Sequence, residues 1–236
     1  TFTLSEASAA SGAGALTLGD VTASGGTLSS WTATSSTVFT AVFTPAVGTA
    51  SATGAVSIAS GAFTDAAGNP NTASNTVNVA VDTVAPTVVK FESSTANGSY
   101  REGSTISVTA TMSEQVRAGA SINIVLDSTS TPVSLTTATA GTVLSGTYTV
   151  GANQTSADLT VSSFTFTEGA VQDAAGNALT STTVPTGTNN IAGAKAIIID
   201  SQAPSAATAL TVTVTGGTVV ANSLNSTNTN LTAQEE

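Results

Sequence analysis

The chain has no cysteine and no histidine, and among its 236 residues only Lys90, Arg101, Arg117 and Lys195 are basic. Without cysteine no disulfide can staple a small domain, and without either residue the usual zinc, copper and iron sites are excluded. Oxygen ligands remain, which suit calcium or magnesium. Fourteen Asp and Glu against those four cations leave a net charge of −10, so a basic footprint for nucleic acid is absent. No apolar run reaches the ~20 residues that span a bilayer, so no membrane insertion is expected of this segment. Nothing at the start reads as a signal peptide. Catalysis is poorly served too. A carboxylate pair, as in glycosidases, is the one kit left, and no such pair falls in an expected cleft.

Hydrophobic residues make up 40% of the chain and charged residues 8%, with Ser, Thr, Ala and Gly abundant. Such a composition fits a disordered stalk or all-β domains of small β-tolerant residues, and the hydrophobic content favours the folded state. Residues 38–44, 77–81, 106–112, 122–126 and 157–161 are short, β-branched-rich and mostly alternating in polarity, which reads as strands. No segment reads as a helix. Gly25-Gly26, Gly48, Gly54, Gly61, Asn97-Gly98, Gly141, Gly146 and Gly151 recur at turn-like intervals, the pattern of a β-sandwich. Trp31 is the expected core plug of the first sandwich. The expected division is 1–85, truncated at its N-terminal side and starting near strand B; 86–203; and 204–236, the start of a third repeat. That last unit would open with a strand at 210–214 and be loose around 225–230.

One acidic signature occurs twice in the same order. Ser5-Glu6, Asp65-Ala66-Ala67-Gly68-Asn69 and Asp82-Thr83-Val84-Ala85-Pro86 return as Ser113-Glu114, Asp173-Ala174-Ala175-Gly176-Asn177 and Asp200-Ser201-Gln202-Ala203-Pro204. Fifty-nine residues separate Glu6 from Asp65 and Glu114 from Asp173, and the copies are offset by 108. A repeated domain keeps such a register. The last spacing differs, 17 residues to Asp82 but 27 to Asp200, as a longer loop before the final strand of the second copy would produce.

Strand order in an immunoglobulin-like sandwich places these pieces. With strand A at residues 87–91 and strand B ending at Ser113-Glu114, Glu114 lies at the pole where the chain enters the second domain. The loop of residues 173–177 precedes the final strand at 196–199 and lies at the same pole, and Asp82 sits on the linker arriving there. Converging carboxylates repel one another unless a cation compensates. Asp82, Glu114, Asp173 and Asn177 are therefore candidate calcium ligands, with loop carbonyls aimed by a turn at Gly176. Glu6, Asp65 and Asn69 mark the corresponding pole of the first domain, and Asp200 the linker to the third. The competing reading is an ordinary turn closed by an aspartate side chain. Asp20, Glu92, Glu102, Asp127, Asp158 and Glu168 read as solvated charges.

The stretch from Asn97-Gly98-Ser99-Tyr100-Arg101-Glu102 through Ile106-Ser107-Val108, with Met112-Ser113-Glu114, Tyr148-Thr149-Val150 and Asp173-Ala174-Ala175-Gly176-Asn177, resembles the bacterial Ig-like repeats of large surface adhesins and biofilm-associated (RTX-type) proteins. Residues 18–28, 59–69 and 81–86 are similar to a related repeat in the same proteins. The resemblance covers most of residues 1–204, and departs from the common pattern at Arg101-Glu102-Gly103-Ser104 and at Met112. It implies a secreted or surface-anchored tandem array on the bacterial cell, often rigidified by calcium at its junctions, whose partners are neighbouring repeats. Glycans or other cells would be met through other regions of the parent protein. The expected function is that of a structural extender. The alternative is a carbohydrate- or host-ligand-binding module, although the aromatic content of 4% is low for one.

Overall fold

The computed structural model describes residues 1–50 and 52–205, with the backbone of two further strands, Leu210–Thr215 and Asn230–Glu235. The chain is all-β. Its first part contains β1 (Phe2–Thr3), β2 (Val21–Ser24), β3 (Gly26–Ala33), β4 (Val38–Pro45), β5 (Ala52–Ile58) and β6 (Val77–Val81). These form two three-stranded sheets, ordered β1-β4-β3 and β2-β5-β6. Between them Leu16, Phe39 and Ile58 are buried, and Phe2, Leu4, Val21, Trp31 and Phe63 pack partly against them. Trp31 is thus not the plug expected from sequence. It lies where the β3 register shifts between Ser29 and Thr32, and keeps one flank in solvent. Its ring meets Phe2 and Phe39 at centroid distances of 5.3 Å each, and Phe39 is the buried member.

The second part is larger. It contains β7 (Val88–Glu92), β8 (Gly98–Tyr100), β9 (Thr105–Val116), β10 (Ser121–Leu126), β11 (Val133–Thr136), β12 (Gly141–Thr149), β13 (Thr155–Ser156), β14 (Val161–Thr165) and β15 (Ile197–Asp200). A six-stranded sheet, β14-β10-β11-β12-β9-β7, is faced by β13-β15-β8. Strict alternation in β9 buries Ile106, Val108, Ala110 and Met112 on one face, as a period of two requires. Phe91 and Phe164 meet edge-on at 5.7 Å within the same core. Tyr148 enters it as well. Its hydroxyl accepts from Ser128 Oγ at 3.0 Å and donates to Gln154 Oε1 at 2.6 Å, so the polar tip is satisfied.

Three further sequence expectations need correction. Residues 157–160 are not strand: the chain crosses there from β13 in one sheet to β14 in the other. Leu159, fully buried, donates its N–H to the Ile197 carbonyl, and Asp127 accepts the Thr160 N–H at 3.0 Å. Gly54 and Gly146 lie inside strands, not turns, while Gly26, Gly98 and Gly141 are the first residues of theirs. At Gly146 a Cβ would collide with the Ser134 carbonyl of β11, so glycine is there for close backbone approach. A helical segment also exists, α1 (Ile191–Ala194), preceded by a 3-10 turn at Gly187–Asn189. It occupies the longer loop of the second copy. Asn190 anchors it, exchanging side-chain hydrogen bonds with both backbone groups of Val161 at 3.0 Å.

Beyond residue 205, β16 (Leu210–Thr215) pairs antiparallel with β17 (Asn230–Glu235), so the strand expected at 210–214 is present. The loose stretch expected around 225–230 falls, up to residue 229, outside the described residues.

Candidate metal centre

The pole of the second sandwich is assembled by backbone pairing. Residues 171–179 form a hairpin in which Leu179 N–H donates to the Val171 carbonyl and Asp173 N–H to the Asn177 carbonyl. That hairpin is tied to the end of β9 by a bridge between Val116 and Asp173 and by the Arg117 N–H on the Gln172 carbonyl at 2.8 Å. Glu114, two residues before Val116 on the same strand, is thereby carried beside Asp173. The linker arrives through two contacts: Asn177 Nδ2 donates to the Asp82 carbonyl at 3.1 Å, and Ser113 and Thr87 exchange hydrogen bonds at 2.8 and 2.9 Å.

One ligand oxygen from each of Asp82, Glu114 and Asp173 lies within 4.8 Å of the others, the three coming from linker, strand and loop. Asp173 is buried at 1% exposure, while Asp82 and Glu114 are half-buried. Burial pushes the Asp173 carboxyl up, but hydrogen bonds from the Asn177 side chain and from backbone N–H groups of the loop prevail and hold it below the usual aspartate range. Its Oδ1 accepts from Gly176 N–H at 2.7 Å and Asn177 N–H at 2.8 Å, and its Oδ2 from Asn177 Nδ2 at 2.7 Å. Glu114 has no such support. Burial, with Asp173 and Asp82 nearby, pushes its carboxyl above the ordinary glutamate value.

Asn177, expected as a ligand, presents its amide nitrogen to the carboxylate and the linker. In this arrangement it positions Asp173 and Asp82. Gly176 takes φ 101°, the conformation the tight turn needs. The donor set is three carboxylates with no nitrogen or sulfur, a chemistry that fits a hard divalent cation.

The first copy builds the same loop without the cluster. Asp65 Oδ1 accepts from Ala67 and Asn69 N–H at 2.9 and 2.8 Å, and Asn69 Nδ2 donates to Oδ2 at 2.7 Å. The Asn69 amide leads the contacts that hold the Asp65 carboxyl low. Glu6 is exposed, and neither Glu6 nor Asp65 joins a group of three such side chains among the described residues. Asp200 is exposed too. It closes a turn by accepting Gln202 N–H at 3.1 Å, as Asp82 does with Val84 N–H at the same distance.

Sequence reasoning passed over Arg117 and Thr83. Arg117 Nη1 donates to Gln172 Oε1 at 2.9 Å and Nη2 to the Ala174 carbonyl at 3.0 Å, which clamps the loop; 108 residues earlier stands Ala9. Being one of four cations three residues after Glu114 was its one signal. Thr83 ties the linker to the first sandwich, its N–H donating to the Thr49 carbonyl at 2.8 Å and its hydroxyl to the Ala46 carbonyl at 2.9 Å.

Paired sheets around a buried core define an Ig-like β-sandwich class. Residues 1–81 match the family model described as a bacterial Ig-like domain. No curated protein and no solved structure matches the chain.

Proposed function

We propose that this chain is an extender segment of a bacterial cell-surface adhesin, in which Ig-like sandwiches are joined end to end and calcium stiffens the joint. The observation that carries this reading is the convergence of Asp82, Glu114 and Asp173 within 4.8 Å. Asp82 belongs to the linker, and the other two belong to the sandwich it enters. A cation held by all three would fasten linker to pole, relieve the repulsion that burdens Glu114, and restrict the hinge. The joint is already tied by protein contacts on both sides, through Thr83 to the first sandwich and through Ser113 and Asn177 to the second. Calcium would add to a joint that is formed, so its effect is on stiffness and stability. Stacked sandwiches, each on the order of 40 Å long, would carry a distal binding region away from the cell. The working location is extracellular, and the immediate partners are neighbouring repeats. No helix among the described residues is long and apolar enough to cross a membrane.

Calcium titration of the full chain tests this reading. Calcium should raise the melting temperature of the second sandwich, magnesium should do so less, and chelation should broaden the domain-separation distribution in X-ray scattering. Melting and scattering curves unmoved by calcium and by EDTA would remove the metal from the account.

A further inference from the structure

The triplet Asn-x-Ser/Thr, with x not proline, is an acceptor sequence for an N-linked sugar. It occurs four times, at Asn97-Gly98-Ser99, Asn153-Gln154-Thr155, Asn225-Ser226-Thr227 and Asn230-Leu231-Thr232. The side chains of the last two triplets lie outside the described residues. The first two differ in what the fold does with the asparagine. Asn97 Oδ1 accepts the Ala196 N–H at 3.1 Å, and Gly98 N–H donates to the Ala196 carbonyl at 3.0 Å. Gly98 and Ser99 are then held in β8, parallel to β15. The Asn97 amide is thus engaged in joining two strands. Asn153 is exposed at the turn between β12 and β13, and Thr155, at the start of β13, is exposed too. The bonds that fix this turn run through neighbours: the N–H groups of Gly151 and Gln154 donate to Gln154 Oε1 and Ser201 Oγ, each at 2.6 Å. Among the described residues the Asn153 amide meets no hydrogen-bond partner.

The first sandwich shows that the turn does not need the asparagine side chain. There Gly48 takes φ 68°, and Thr49 after it donates its N–H to Thr83 Oγ1 at 3.0 Å and accepts the Thr83 N–H at 2.8 Å. In the second sandwich Asn153 takes φ 56°, and Gln154 after it donates its N–H to Ser201 Oγ and accepts the Ser201 N–H at 3.1 Å. Both turns set a left-handed residue immediately before the residue that grips the outgoing linker. Glycine fills that position in one and asparagine in the other. Asparagine tolerates the conformation better than most side chains, and it brings to the linker an amide that the first copy lacks.

We propose that Asn153 is a glycosylation site, carrying a hexose through an N-glycosidic bond. The donor is a hexose joined at its anomeric carbon to a nucleoside diphosphate, and an asparagine glycosyltransferase acts on the folded sandwich. Asn153 Nδ2 bonds to the anomeric carbon as the bond from that carbon to the diphosphate oxygen breaks. The nucleoside diphosphate leaves with the electron pair, and the amide gives one proton to a base of the transferase. The sugar lies beside Ser201 and shields the outgoing linker. Thr149, just before this turn, pairs with Thr105 at the start of β9, whereas Glu114 stands near the end of that strand. The inference therefore does not depend on a metal.

Peptide mass mapping of the protein recovered from its own cells tests the proposal, and should find a hexose on Asn153 and none on Asn97. In a second arm the folded full chain is given UDP-glucose and a soluble asparagine glucosyltransferase. Asn153 should be labelled about 10-fold or more faster than Asn97, whose hydrogen bonds must open first. Thr155→Ala keeps Asn153 and should lose the label, and Thr155→Ser should keep it. Unmodified Asn153 in the protein from its own cells overturns the proposal. So does labelling of Asn97 as fast as Asn153 in the folded chain, or labelling that survives Thr155→Ala.

Discussion

The two sandwiches carry the same loop, Asp-Ala-Ala-Gly-Asn, yet among the described residues only the second surrounds it with a cluster. In both, the aspartate accepts backbone N–H groups and the asparagine amide at nearly the same distances. The loop therefore forms as a local unit in both copies. What differs is the setting. Asp173 is buried against β9 in a loop that Arg117 clamps, whereas Asp65 is half-buried and its copy has Ala9 where Arg117 would be. The cores differ in the same sense. Among the described residues twenty-three buried apolar side chains form the second core and three form the first. Hydrophobic stabilisation follows buried area, so the first sandwich should be much the weaker of the two.

The largest expected effect addresses that inequality. Phe91→Ala should cost the second sandwich ~3–5 kcal/mol, because it empties a fully buried site against Phe164. In the unmutated chain, denaturant unfolding should show two transitions with the first sandwich lower. In the mutant, the upper transition alone should move down. One shared transition in both proteins would mean that the sandwiches are not independent.

A smaller effect separates the twin loops. Asp173→Ala removes a buried carboxylate that accepts the part-buried Gly176 and Asn177 N–H groups and should cost about 1–3 kcal/mol. Asp65→Ala, where water can replace the lost acceptor, should cost less. Thermal melts of the two mutants would sharpen the contrast, and equal losses would break it.

The smallest effect is electrostatic. In metal-free buffer the raised pKa of Glu114 contributes stability that is complete below the ordinary value of 4.5 and lost as pH rises through the folded value. Asp173 has the opposite sign: its contribution is present above the ordinary 3.8 and lost as pH falls through its lowered folded value. With EDTA present, the second sandwich should therefore gain stability as pH drops from neutral toward the glutamate range, then lose it. Glu114→Gln should abolish the gain, stabilise the chelated protein at neutral pH and weaken any response to calcium. A mutant whose melts track the parent across this range would show that Glu114 does not feel its neighbours.

Much of the fold was legible because strand periodicity is a local property. Alternation at residues 77–81 and 106–112 marks strands that form, and the 108-residue offset marks the duplication. Residues 157–160 misled because Leu159 is buried while the chain changes sheets, and alternation cannot distinguish a buried crossover from a strand. Gly146 misled because glycine serves close packing as well as turns. At the candidate site the identities of Asp82, Glu114 and Asp173 could be read, since two copies kept their order. The role of Asn177 could not, because an amide offers oxygen or nitrogen according to what faces it.

The sequence by itself determined an all-β chain, its duplicated register, and an Asp-Ala-Ala-Gly-Asn loop that closes on its own aspartate. Those depend on residues near one another, where side-chain alternation and short hydrogen bonds decide. Only the tertiary structure decided that Asp82 and Asn177, 95 residues apart, touch, and that among the described residues three carboxylates meet there and not in the first copy. Long-range pairing brings those groups together, and it depends on which surfaces are buried across the whole chain.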